Sequence, residues 1–241
     1  MTNRRAGDHA AVCFLHFLAR CAIIGATMSD TQSAHHHERP EPSWASRGAL
    51  KLDHALTEFD IDVRGKTCAD FGCSTGGFVD VHLRRGAARV FAVDTAYGQL
   101  GYRLRVDPRV VVMERTNALH AALPEKHAGA KIDVISIDLG WTPQSQAIPA
   151  ALRWLRSDDP DARVVSLIKP QYELAQEEKA VLLKDGVLDE DDAQRVVDRV
   201  VAALPALGVR VVGVTKSPIL GGETRGKKKG NAEWLVALAR A

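Results

Sequence analysis

The sequence is poor in aromatic residues, which fill 5% of its 241 positions, so its core has to be built from Val, Leu, Ile and Ala. It has no excess of one charge: 32 Lys and Arg face 30 Asp and Glu, a formal net charge of +2. Such a balance supplies no long-range field to gather nucleic acid, so any contact of that kind has to come from a local patch. Cysteines are few. Cys13, Cys21, Cys68 and Cys73 form no CxxC pair and show no metal-ligand spacing with histidine, which argues for reduced thiols in a cytoplasmic protein and for no metal site. No apolar run reaches the roughly 18 residues of a membrane span, so no stable membrane association is expected. What is present, 46% hydrophobic and 26% charged residues, is the composition of a globular protein with one large domain.

Residues 1–45 read as an extension distinct from a domain at 46–241. Arg4 and Arg5 precede an apolar run from Ala11 to Ala26, broken by His16 and Arg20, and a polar stretch with His35, His36 and His37 follows. Three readings stay open: a poorly ordered extension upstream of a start at Met28, an amphipathic helix docked on the domain, or a targeting signal. The adjacent histidines read as a solvated linker, because without a rigid frame they make a poor metal site.

From Ser46 onward strand and helix signals alternate. Lys66–Phe71, Arg89–Asp94, Arg109–Glu114, Ile132–Asp138 and Ala162–Ile168 are short, β-branched-rich and nearly continuous in apolar residues. Strands buried on both faces of a parallel sheet read this way. Helical segments are expected at Gly76–Arg85, Ala147–Arg156 and Glu190–Leu204, the last with Ala193, Val196, Val197 and Val200 at helical spacing. Two further strands are expected at Val209–Thr215 and Glu233–Ala239. The alternation predicts a doubly wound α/β fold, whose ligands bind at the carboxyl ends of the strands.

The strand ends carry the chemistry. The first is followed by Gly72-Cys73-Ser74-Thr75-Gly76-Gly77, where glycines permit a tight turn and close approach of a ligand. The second ends in Asp94, a carboxylate placed to accept hydrogen bonds from a ribose diol. Together they point to a nucleoside cofactor. The GxxxGG spacing is neither GxGxxG nor a Walker loop, which disfavours a dinucleotide or a nucleoside triphosphate. The fourth and fifth strands close on Asp138 and on Lys169-Pro170. Lys169 follows an apolar run, so its stem is expected to be buried with the amine reaching the cleft.

These residues resemble a known family. Ser46-Arg47-Gly48-Ala49-Leu50-Lys51-Leu52 is similar to the SRGGxKL opening of the TlyA-like (hemolysin A) proteins, a branch of the FtsJ-like RNA 2′-O-methyltransferases. DFGCSTGGF, VFAVDTAYGQL, LRVDPRV, ERTN, LIKPQYE, Ser217-Pro218-Ile219 and Gly230-Asn231-Ala232-Glu233 follow in the family's order, so the resemblance spans 46–241. It implies a Rossmann-like class I fold with a doubly wound, mostly parallel seven-stranded sheet, and S-adenosylmethionine as cofactor. It further implies a catalytic tetrad of Lys51, Asp138, Lys169 and Glu233. Lys169 takes up the proton of a ribose hydroxyl if its pKa falls, and a second cation such as Lys51 would lower it. Cofactor contacts fall on Asp70, Gly72, Cys73, Ser74, Gly76, Gly77, Phe78, Asp94, Asn117 and Asp138. The implied partner is RNA, ribosomal RNA or a ribosomal subunit in particular.

Two departures stand out. The family's small RNA-binding domain has no counterpart in residues 1–45, and the segment after Asp138 reads Leu139-Gly140-Trp141-Thr142-Pro143-Gln144 where the family reads VSFISL. Trp141 either stacks on an RNA base or serves as a core or lid aromatic. From Lys216 to Gly230 the residues Lys216, Arg225, Lys227, Lys228 and Lys229 face Glu223 alone, a candidate phosphate clamp, whereas Glu173–Asp192 holds eight acids against Lys179 and Lys184. Rival readings are a small-molecule methyltransferase, a membrane-active protein and, more remotely, a dehydrogenase.

Overall fold

A computed structural model describes residues 43–222 and 230–241. The extension up to residue 42 and the basic residues Arg225, Lys227, Lys228 and Lys229 lie outside the described residues. Each apolar run becomes a strand within a residue or two of its expected bounds: β1 Thr67–Phe71, β2 Arg89–Val93, β3 Val110–Met113, β4 Val134–Ile137 and β5 Arg163–Ile168. A two-strand hairpin follows, β6 Leu183–Lys184 and β7 Val187–Leu188, and then β8 Val209–Lys216 and β9 Trp234–Arg240. Hairpin aside, the strands form one seven-stranded sheet in the order β3-β2-β1-β4-β5-β9-β8. Neighbours from β3 through β5 are parallel, and β9 runs antiparallel to both β5 and β8. The strand order reverses between β1 and β4, and a sheet of this kind opens a crevice for ligands at that point.

Helices cover both faces. Alternate side chains of the central strands enter different cores, as the two-residue period of a strand requires. Ala69 and Phe71 of β1 join Ile148, Trp154, Val196 and Val197 on one face, where α4 (Gln144–Leu152) and α7 (Glu190–Ala203) pack. Cys68 joins Leu52, Leu56, Phe78 and Val79 on the other, where α1 (Ala49–Glu58) and α2 (Gly77–Arg84) pack. Three short helices complete the set: α3 Tyr102–Arg105, α5 Pro170–Glu173 and α6 Gln176–Leu182. Asp189 caps α7 by accepting the Asp191 amide, and three acids in its first turn complement the helix dipole.

The helix expected at Ala147–Arg156 starts three residues earlier and ends four residues earlier. Pro143 leads into it, and the buried Gln144 side chain fixes its start by donating to the Leu167 carbonyl and accepting from Ser166. Among the described residues, no helix is long and apolar enough to cross a membrane.

Candidate active site

Lys51 reaches the sheet from α1, and the segment before that helix is pinned to α2. The Ala45 amide donates to Asp80 Oδ2 at 2.9 Å, and the Arg84 guanidinium lies 4.4 Å over the Trp44 ring. Asp80 is fully buried and also pairs with Arg84 and Arg103. Ser46 then lies so close to Gly77 that a Cβ there would stand 2.3 Å from its Oγ. Gly77 therefore admits the SRG segment against the start of α2.

The four residues of the expected tetrad come together as two ion pairs. Lys51 Nζ is 2.5 Å from Glu233 Oε2, with side chains 10% and 3% exposed. Lys169 Nζ is 2.5 Å from Asp138 Oδ1 and donates to the Leu139 carbonyl at 3.3 Å. Glu233 immediately precedes β9, and because that strand runs backwards its start, with Trp234 opposite Ile168, stands at the same rim as the ends of β4 and β5. Gly221 makes room for the Glu233 carboxylate, since a Cβ at that position would overlap Oε1.

The electrostatics correct one expectation. Burial works against the Lys169 charge, but the Asp138 carboxylate outweighs it, with help from Glu233, and the amine stands above its ordinary pKa. The fall expected from Lys51 as a neighbour does not occur, because each lysine has its own carboxylate at contact distance and the nearest charge dominates. Burial raises the Glu233 carboxyl above its ordinary range, against the pull of Lys51.

Beside the pairs, at the switch point, lies a cavity of about 120 Å³ bounded by Ser46, Asp70, Gly72, Ser74, Phe78 and Asp138 among others. Gly72 has φ +90°, and a Cβ there would stand 2.4 Å from the Asp138 carbonyl oxygen, so only glycine lets the loop pass the end of β4. Asp94 ties this loop to β2: Oδ2 accepts the Ser74 amide at 2.7 Å and Oδ1 the Ala96 amide at 2.8 Å. Each oxygen keeps a second lone pair for a ribose diol. Cys73 is buried and its thiol is pushed up by desolvation, so it serves as a neutral wall.

Other expected contacts fall differently. Gly76 caps α2 with φ +99°, and its missing Cβ leaves room for Leu104 and Leu100 of the apolar core, so both backbone and packing require glycine there. Asn117 is exposed after β3, and its Oδ1 accepts the Leu119 amide, shaping its own turn. Trp141 is 84% exposed, which removes the core reading, and its ring lies 5.7 Å from that of Tyr172. Lys216 pairs with Glu190 on α7. Ser46, Gly48 and Thr75, given no site role from the sequence, line the cavity; the SRG motif was the available signal for the first two. Larger hollows of about 460 and 380 Å³ lie away from these residues, and the arginines of the first are each paired with an aspartate.

A buried carboxylate with one unpartnered oxygen, Asp70 Oδ2, a glycine cradle and an acid closing β2 fit the cationic amino-acid end and the ribose of S-adenosylmethionine. A sheet of this strand order with such a cavity at its switch point is that of a class I S-adenosylmethionine-dependent methyltransferase. The likeness extends to an S-adenosylmethionine dependent methyltransferase from Mesorhizobium loti, at 16% identity and a TM-score of 0.55 over 80% of this chain and 99% of that one. A provisionally named hemolysin from Lactococcus lactis is closer, at 37% identity and a TM-score of 0.73 over 83% of this chain and 90% of that one. The 16S/23S rRNA (cytidine-2′-O)-methyltransferase TlyA of Mycobacterium tuberculosis is 40% identical over 219 residues, which are 90% of this chain and 76% of the relative. The profile of the FtsJ-like methyltransferases matches residues 44–240. The chain belongs to the FtsJ-like methyltransferase family, in its TlyA branch.

Proposed function

We propose that the chain methylates a ribose 2′-hydroxyl of ribosomal RNA, in the cytoplasm, with Lys51, Asp138, Lys169 and Glu233 around the reacting oxygen. The observation that carries this reading is the convergence of two lysine–carboxylate pairs beside the cavity at the strand ends. The activity in the name of the Mycobacterium tuberculosis relative supports the ribose and the ribosomal RNA.

Bound at the cavity, S-adenosylmethionine supplies an electrophilic methyl group on a sulfur that leaves as a thioether. A 2′-hydroxyl is a poor nucleophile until its proton is taken. Lys169 begins as an ammonium, and in that state it orients the acceptor oxygen by donating to it. To accept the hydroxyl proton it first passes one of its own to Asp138, 2.5 Å away. The proton of the acceptor hydroxyl would leave through the Lys169–Asp138 pair. Lys51 and Glu233 hold each other in place and fix the far side of the site. Alignment for in-line displacement contributes much of the rate.

Trp141 offers an exposed ring for a base, and Arg225, Lys227, Lys228 and Lys229 a clamp for phosphates. The test is methyl transfer from labelled cofactor to ribosomal RNA, with mapping of the 2′-O-methyl sites. Lys169→Ala is expected to abolish transfer, and unchanged transfer would sink the mechanism. Binding that does not weaken as salt rises would point to a small-molecule acceptor.

A further inference from the structure

Beneath the glycine loop runs a buried polar chain that the methyl-transfer mechanism does not use. Asp70 on β1, Ser136 on β4 and His82 on α2 are all 0% exposed. Ser136 Oγ donates to Asp70 Oδ1 at 2.8 Å, and His82 Nε2 lies 3.0 Å from the same Oγ. Asp70 Oδ2 and His82 Nδ1 have no hydrogen-bond partner of good geometry among the described residues. The Asp70 carboxyl nevertheless borders the cavity.

Its surroundings are hostile to a negative charge. Asp138 and Asp94, at the ends of the two flanking strands, both raise its pKa, and the thiols of Cys68 and Cys73 stand near enough to feel it. His82, on α2 and in contact with Ser136, is held neutral by burial, with a pKa pushed down to about 3. Burial is the largest effect on Asp70 and moves its pKa up to about 8, against the Ser136 hydroxyl and the Val79 amide. An ionised carboxylate in such a place costs several kcal/mol unless a cation joins it.

We propose that Asp70 keeps a proton in the cofactor-free protein and exchanges it for the ammonium group of the cofactor, so that cofactor binding releases a proton. The inference rests on the S-adenosylmethionine reading of the cavity. It makes the site selective for ligands that bring an ammonium, because only a cation can take the proton's place. Ser136 is the positioning residue: its donated hydrogen bond favours the ionised carboxylate, and His82 holds the hydroxyl.

Titration calorimetry of the full chain between pH 6 and 7, in two buffers of different ionisation enthalpy, tests this. In that range the ligand amine stays charged. S-adenosylmethionine is expected to release close to one proton, with affinity rising on the order of tenfold per pH unit. 5′-Methylthioadenosine, which lacks the amino-acid end, is expected to release none. Ser136→Ala is expected to move the end of the pH-dependent range upward, whereas a purely structural loss would weaken binding equally at every pH. Binding of S-adenosylmethionine with the same heat in both buffers overturns the proton exchange and leaves the cofactor reading standing. Absence of binding overturns the cofactor reading itself.

Discussion

Replacing Glu233 by Gln removes one charge from the Lys51–Glu233 pair and keeps its shape. Glu233 is 3% exposed and the Lys51 side chain 10%, so the lysine is left charged in a place that water barely reaches. Breaking a buried pair from one side costs about 3–5 kcal/mol. Lys51 has a long stem that can carry its amine partway to solvent, which favours the low end, about 3 kcal/mol. For a domain of this size that is a fall in Tm of roughly 6–12 °C. Removing both charges, as Lys51→Met with Glu233→Gln, should recover most of the loss, because the cost lies in the charge left behind. Urea unfolding of the two single variants and the double variant measures the coupling. A Glu233→Gln cost below about 1 kcal/mol, or a double variant as unstable as the sum of the singles, refutes the reasoning.

Gly72→Ala should weaken both cofactor binding and stability, since its Cβ meets the Asp138 carbonyl oxygen at 2.4 Å and its φ is +90°. A cost of about 1–3 kcal/mol in unfolding is expected, and a variant as stable and as tightly bound as the parent would contradict it. Trp141→Ala should leave unfolding and cofactor affinity unchanged, as an 84% exposed ring predicts, while lowering methylation of RNA in a methyl-transfer assay. Stability of the cofactor-free protein should fall as pH rises from about 6.5 to 8. Asp70, with its pKa raised to about 8, binds more proton folded than unfolded between pH 4 and 8, so its contribution declines with pH. His82, depressed to about 3, gives the opposite slope up to about pH 6.5, and the two offset each other below that point. Denaturant unfolding across this range should show the fall in the parent and a flat profile in Asp70→Asn.

The strands were legible because a parallel strand buried on both faces has to be apolar throughout, and runs such as Arg89–Val93 and Arg163–Ile168 have no other reading of that length. Their ends, and with them Asp94, Asp138 and Lys169, followed from the fold class. Helix α1 has no counterpart among the expected helices, although Ala49, Leu52, Ala55 and Leu56 fall at helical spacing. The β6–β7 hairpin was missed despite Asp185-Gly186 at its turn, because strands of two residues give no period to read. The pKa direction of Lys169 lay beyond the sequence, since two lysines and two carboxylates can be paired in more than one way until distances decide. The Asp70–Ser136–His82 chain joins positions far apart in sequence, across two strands and a helix, and nothing local marks it.

The reversed strand β9 has a consequence for synthesis on the ribosome. The cofactor loop, Asp138 and Lys169 all emerge well before residue 233, and β8 can join the sheet only through β9. Until β9 slots between β5 and β8, a nascent chain has a place for the methyl donor but Lys51 has no counter-charge. Chains broken off before residue 233 would lack both Glu233 and β9, and the gap beside β5 would expose their unfinished sheet edge to degradation. The order of the strands thus ties the counter-charge of Lys51 to the arrival of β9.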